Sequence, residues 1–186
     1  MSIPFRIYPI RREEVLRRSA MQNPSPEEIR LFEECARDAE YVLNYHITER
    51  NRPMEFLDGD EAMREKMAGC DSIIVFTAVL GDAFRELAEG HDEPEKDILY
   101  QGLAAERMDA LIESYLDHKE KILAEAGAVL TRQFPYRWQE LPEDAFTATR
   151  IVGVSYHPEL LEESRCRSCF AENCYLRVEE AEKPSP

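Results

Sequence analysis

The sequence predicts a single domain of mixed α and β structure in which helices, one of them long, pack against a sheet. Three observations predict it. A chain of 186 residues can bury roughly 70% of the surface it exposes when unfolded, so a core forms without disulfides. Its 44% hydrophobic and 33% charged residues are a globular balance rather than a disordered one. The apolar residues also change period along the chain, recurring every three or four positions in some stretches and every two in others. No internal repeat, low-complexity linker or shift of composition divides the chain, so residues 1–178 read as one domain and residues 179–186 as a frayed, flexible acidic tail.

The elements follow in order. Ser25-Pro26-Glu27-Glu28 places a capping hydroxyl, a proline at the first helical position and a glutamate at the third, so a helix starts there, with Ile29, Phe32, Cys35, Ala36 and Ala39 on its buried face. From Tyr41 the period drops to two: Tyr41, Leu43, Tyr45 and Ile47 alternate with Val42, Asn44 and His46, the pattern of a half-buried strand with His46 on its polar side. Asp60 to Ala68 reads as a short helix closed by Gly69, with Met63 and Met67 filling core. Cys70 follows as a packed thiol. Ser72 to Leu80 is continuous, apolar and β-branched, which marks the strand at the centre of the sheet, covered on both faces. Gly81 turns the chain into a short helix carrying Phe84, Leu87 and Ala88 and ending at Gly90.

Pro94 opens the longest helical pattern. Its seam, from Ile98 through Gly102, Ala105, Met108, Ile112, Tyr115 and Leu116 to Ile122, Leu123 and Ala126, runs about 30 residues, or roughly 45 Å. His118, among Asp117, Lys119 and Glu120, falls off that seam as a solvated side chain. The acidic run Glu86, Glu89, Asp92, Glu93, Glu95, Asp97 lacks cation-loop spacing and reads as a solvated face. Val129 to Phe134 and Phe146 to Tyr156 are two further strands, joined by a proline-punctuated segment holding Trp138.

Composition excludes several function classes. The seven glycines stand at least nine residues apart, so no glycine-rich phosphate loop can be written. A net charge of −15 repels a nucleic-acid backbone and an anionic membrane alike. Pro4 and Pro9 break the N-terminus before an apolar signal core, and the longest apolar run is far short of the ~20 residues a spanning helix needs. The expectation is a cytoplasmic protein. Five cysteines are an odd number, and in a reducing compartment they argue for metal or redox chemistry before a disulfide framework.

The G-x-S-x-G and H-E-x-x-H motifs are absent. The chemistry that remains is Cys166-Arg-Ser-Cys169-Phe-Ala-Glu-Asn-Cys174. A C-x2-C step lets two thiolates converge on one ion across a tight turn, and Cys174 closes a third position. One reading is an iron-sulfur cluster or zinc, with a fourth ligand from His157, Cys35, Cys70 or a non-protein group. A second is thiol redox chemistry at Cys166 and Cys169, where Arg165 and Arg167 favour thiolates. A third is three unligated structural thiols.

The order of pieces carries a resemblance. A strand ending in Phe76-Thr-Ala-Val-Leu-Gly81, a short helix, the long helix with Met108-Asp-Ala-Leu-Ile-Glu-Ser114, then Arg132-Gln-Phe-Pro-Tyr136, and finally C-x2-C-x4-C with Arg177 three residues on, resembles the small stand-alone proteins similar to the activation domain of vitamin B12-dependent methionine synthase. The likeness runs from about Tyr41 to Arg177. It implies an α+β fold with a central, mostly antiparallel sheet, S-adenosylmethionine as ligand and a cobalamin-carrying protein as partner, whose cobalt is reactivated by reduction and methylation. Arg132, Pro135 and Tyr136 correspond to that family's ligand-binding motif, here without its glycine and one residue short; the Ala-Cys-Pro element of the full-length synthases is absent. Three functions follow as expectations: an accessory protein for reductive reactivation of a corrinoid methyltransferase system, a non-enzymatic metal-binding interaction module, or a thiol-redox sensor.

Overall fold

In the computed structural model, the described residues are 4–90, 92–137 and 144–157. The elements run α1 (Arg12–Arg18), α2 (Pro26–Val42), β1 (His46–Pro53), a 3-10 turn (Met54–Leu57), α3 (Glu61–Lys66), β2 (Ser72–Val79), α4 (Asp82–Glu89), α5 (Pro94–Glu125), β3 (Val129–Pro135) and β4 (Thr147–Ser155). The fold is α+β: the four strands form one sheet in the order β1-β2-β4-β3, and every pairing is antiparallel.

Strand β2 lies between β1 and β4, as its apolar run predicts, and alternation sends its side chains to two cores. Ile74, Phe76 and Ala78 face a large core built with Phe32, Leu103 and Leu111 from the helices. Ile73 and Val75 face a smaller one with Leu57, Met63, Met67 and Ile151. The sheet thus has a helical face and a second face, the latter covered at one end by the 3-10 turn and α3.

The helical face is organised by α5, 32 residues long and about 48 Å from end to end. Between Leu99 and Tyr115 most of its residues are buried, while Ile98 and Ile122 near its ends are exposed. Gly102 lets α1 come close: a Cβ there would meet Ser19 Oγ at 2.4 Å and the Val15 carbonyl at 3.0 Å. Gly81, at φ +99°, makes the β2-to-α4 turn where Asn44 passes within 2.9 Å of a would-be Cβ.

Helix α2 starts as predicted. Ser25 Oγ accepts from the Glu28 amide at 3.2 Å, and the Glu28 carboxylate accepts from the Ser25 amide at 2.7 Å, a capping box contributing about 1 kcal/mol. Phe32, Cys35 and Ala39 are buried.

Two expectations need correction, and one helix goes unpredicted. The strand read from Tyr41 begins at His46, because α2 continues through Val42 and leaves Tyr41 91% exposed. The true strand carries Glu49, Arg50, Asn51 and Arg52; charged side chains suit a sheet edge, where they oppose pairing with another chain. Helix α1 is absent from the sequence reading, since its seven residues contain two apolar side chains, Val15 and Leu16. His118 is half-buried and stacks on Phe5, with ring centroids 5.2 Å apart. Elsewhere the short helix with Met63 and Met67, the strands β3 and β4 and the exposed acidic run all stand where the sequence puts them.

Candidate functional site

The predicted ligand residues Arg132, Pro135 and Tyr136 belong to β3 and its extension. The register of β3 against β4 shifts between Leu130 and Gln133, and Thr131 fills the irregularity: its hydroxyl accepts from the Gly153 amide at 2.8 Å. Beyond Pro135 the Tyr136 amide donates to the Thr149 carbonyl at 3.1 Å, so pairing continues. Two-residue alternation then turns Arg132, Phe134 and Tyr136 to the second face and Pro135, which is exposed, away from it. The structure therefore brings two of the three predicted residues together and leaves Pro135 outside.

On the second face these residues meet an aromatic cluster. Phe56, from the 3-10 turn, lies 6.3 Å from Tyr136 between ring centroids. The Arg132 guanidinium sits 5.3 Å from the centre of the Phe134 ring, and Lys66 Nζ lies 5.0 Å from the same centre. The Arg52 guanidinium sits 5.5 Å from the centre of Phe56. Burial, with the Asp60 carboxylate nearby, raises the Tyr136 hydroxyl above its ordinary pKa; it stays a neutral hydrogen-bonding group at neutral pH. Asp60 itself is fixed as the cap of α3, accepting from the Met63 amide at 3.0 Å.

Beneath this cluster the second face is tightly packed around Gly153. A Cβ there would fall 2.2 Å from Cys70 Sγ, 2.9 Å from Thr131 Oγ1 and 3.1 Å from Met67 Sδ. Burial pushes the Cys70 thiol up to about 11, so it is protonated and unreactive at neutral pH. Cys35 lies on the opposite side of the sheet, fully buried in the helical core, where burial raises its thiol despite a hydrogen bond with Tyr100. Of the described ligands considered for a metal, Cys35 reaches an ion only by unpacking the core. His157, just beyond β4, is exposed, and its amide donates to Ser155 Oγ at 3.0 Å. Cys166, Cys169 and Cys174 lie outside the described residues, as do Trp138 and the acidic tail. Among the described residues no three His, Cys, Asp or Glu side chains gather to hold a metal ion.

A second polar cluster, which the sequence reading missed, lies on the helical face. Glu106 and Arg107 in the middle of α5 are buried. Glu106 receives Arg107 Nε at 2.6 Å and Arg11 Nε at 2.9 Å, and Arg11 also reaches Glu113 at 3.0 Å. Arg107 donates onward to the carbonyls of Tyr8 at 2.8 Å and Pro9 at 2.9 Å. The Tyr8 amide donates to Ser114 Oγ at 3.1 Å, and its hydroxyl to Asp117. The partners are about 95 residues apart in sequence, so no local pattern signals them. With two guanidiniums on one carboxylate, the arrangement is a clamp that straps the N-terminal arm to α5. A groove of about 990 Å³ runs beside α1, but Arg11 and Arg17 on its wall are taken up by Glu106, Glu113 and Glu14.

No helix among the described residues is long and apolar enough to cross a membrane. No protein-family model matches the chain, and no curated protein matches it.

Proposed function

We propose that the chain is an accessory protein for the reductive reactivation of a corrinoid-dependent methyltransferase system, acting as a cytoplasmic docking domain for a cobalamin-carrying partner. Arg132 and Tyr136 would present the ligand- or partner-facing surface. One observation carries this reading: two of the three residues that the resemblance selects, Arg132 and Tyr136, four positions apart on an edge strand and its extension, share the second face of an antiparallel sheet with Phe56 and Phe134. The helical face is closed by α5 and its ion clamp, so the second face is where a docking ligand can be read.

The donor set Cys166, Cys169 and Cys174 suits a soft, thiolate-bound centre, iron-sulfur or zinc, with exposed His157 as the most accessible of the described candidates for a fourth ligand. When bound, such a centre would either pass an electron or fix the C-terminus. The chain's own residues would hold it through thiolates, for which Arg165 and Arg167 lower the cost of ionisation.

The test is direct. A ligand at a hundred times its Kd stabilises the folded state by about 2.7 kcal/mol, so hydroxocobalamin, or a cobalamin-loaded carrier protein, is expected to raise the melting temperature of wild type and not of Arg132→Ala. Absence of any shift with either would leave a plain metal-binding interaction module as the better reading. Anaerobic purification with iron, zinc and sulfide analysis separates the metal alternatives. Cys166→Ser is expected to lose the metal, and finding no metal or sulfide in undamaged wild type would favour the thiol-redox sensor.

A further inference from the structure

Residues 4–19, the N-terminal arm and α1, form one unit laid along α5. Its contacts there are directional: Ser19 Oγ donates to the Ile98 carbonyl at 3.2 Å, Val15 lies against Gly102, Arg18 reaches Asp109 at 2.5 Å, and Phe5 stacks on His118. Basic groups of the unit meet acidic groups of the helix, since Arg11 closes on Glu106 and Glu113. In return Arg107 of α5 donates to two successive backbone carbonyls of the arm, those of Tyr8 and Pro9.

The loop that ties this unit to α2 is short and strained. Ala20 sits at φ +58°, the only non-glycine residue at positive φ among the described residues, and there its Cβ crowds the carbonyl that follows. Closure of the chain imposes that conformation: the Ala20 amide donates to the Arg17 carbonyl at 3.2 Å and the Met21 amide to the Leu16 carbonyl at 2.8 Å, a helix-ending turn that ordinarily has glycine at this position. Pro24 and Pro26 stiffen the far end of the loop.

We infer that residues 4–19 exchange between two copies of this chain, each copy laying its arm and α1 on the other copy's α5. The contacts in the exchanged dimer are those of the monomer, so the difference between the two forms falls on the hinge at residues 20–24. Opening it frees Ala20 from the left-handed region and gives up the two turn hydrogen bonds; a short hinge under strain favours exchange. The arrangement is two-fold and self-complementary, so it closes at the dimer. It does not depend on the docking reading, which concerns the opposite face of the sheet.

The experiment is size-exclusion chromatography with light scattering on the full chain, from micromolar to millimolar concentration. Wild type is expected to show a dimer that grows with concentration and, once isolated, returns slowly to monomer, because exchange requires the unit to leave α5. Ala20→Gly relaxes the closed hinge in both chains and is expected to lower the dimer association constant by at least about tenfold. Ala20→Pro, which cannot take a positive φ, is expected to raise it. A Gly-Ser-Gly insertion after Gln22 slackens the hinge with the unit's side-chain contacts kept, and is expected to leave monomer. A wild type that stays monomeric to millimolar concentration would overturn the inference. So would a dimer equally strong in wild type, Ala20→Gly and the insertion variant, since a dimer built through an outer surface is indifferent to the hinge.

Discussion

The two faces of the sheet use cations in opposite ways. On the helical face, Arg11 and Arg107 close on the buried carboxylate of Glu106, and the remaining donors of Arg107 cap the carbonyls of the N-terminal arm. Those charges are spent inside the fold, where they hold a strap on a helix. On the second face, Arg52, Lys66 and Arg132 lie against the rings of Phe56 and Phe134. The difference teaches how charge is placed: charge matched by buried countercharge straps one element to another, while charge set against half-buried rings lies on the face away from the helical core.

The largest expected effect breaks the helical side of this comparison. Glu106→Ala leaves two guanidiniums without their shared carboxylate and is expected to cost about 3–5 kcal/mol, read as a lower urea midpoint, whereas a loss below about 1 kcal/mol would mean that the clamp is not buried in solution. Next, Gly153→Ala drives a Cβ into Cys70 Sγ and Thr131 Oγ1. Overpacking of this kind costs about 1–3 kcal/mol, and the paired Cys70→Ala should recover part of it in a double-mutant cycle. Ser25→Ala removes one half of the α2 capping box and is expected to cost about 1 kcal/mol in the same assay.

Acid sharpens the comparison further. The hydrogen bonds from Arg17 and Arg18 hold Glu14 down to about 2, below its unfolded value. A depressed carboxyl contributes stability that is present above the unfolded pKa and is lost as pH falls toward the folded one. The α1 end of the helical face is therefore expected to weaken between about pH 5 and pH 2, and Glu14→Gln should flatten that limb of a stability–pH curve. The smallest effect belongs to the second face: Lys66→Gln is expected to change stability by no more than about 0.5 kcal/mol, since Lys66 is exposed.

How much was legible in the sequence follows from how local each signal is. The capping box at Ser25, the buried run of β2 and the helical period from Pro94 are written in consecutive residues, and the structure has all three, although Ile98, Ile122 and Ala126 of the expected α5 seam are exposed and Leu99, Tyr100, Leu103 and Leu111, outside it, are buried. Strand β1 was misplaced because its own residues are polar, as an edge allows, while the apolar Tyr41, Val42 and Leu43 just before it finish a helix. The Glu106 clamp and the cluster on Phe56 and Phe134 were invisible for another reason. Their members lie on different elements, and only the pairing of β1 with β2, β2 with β4 and β4 with β3 brings Arg52 and Arg132 to one face. Arg132, Pro135 and Tyr136 were singled out by resemblance; Arg52 and Phe56 could have been suspected from the alternation of Arg50 and Arg52 ahead of an aromatic, but only once β1 was placed correctly, and no local pattern signals Lys66.

The most direct test of the central claim, that docking belongs to the second face, is hydrogen–deuterium exchange of the full chain with and without a hydroxocobalamin-loaded carrier. The account predicts slowed exchange in β3 through Tyr136 and around Phe56, with α5 unchanged. Protection confined to α1 and α5, or none at either face, would contradict it.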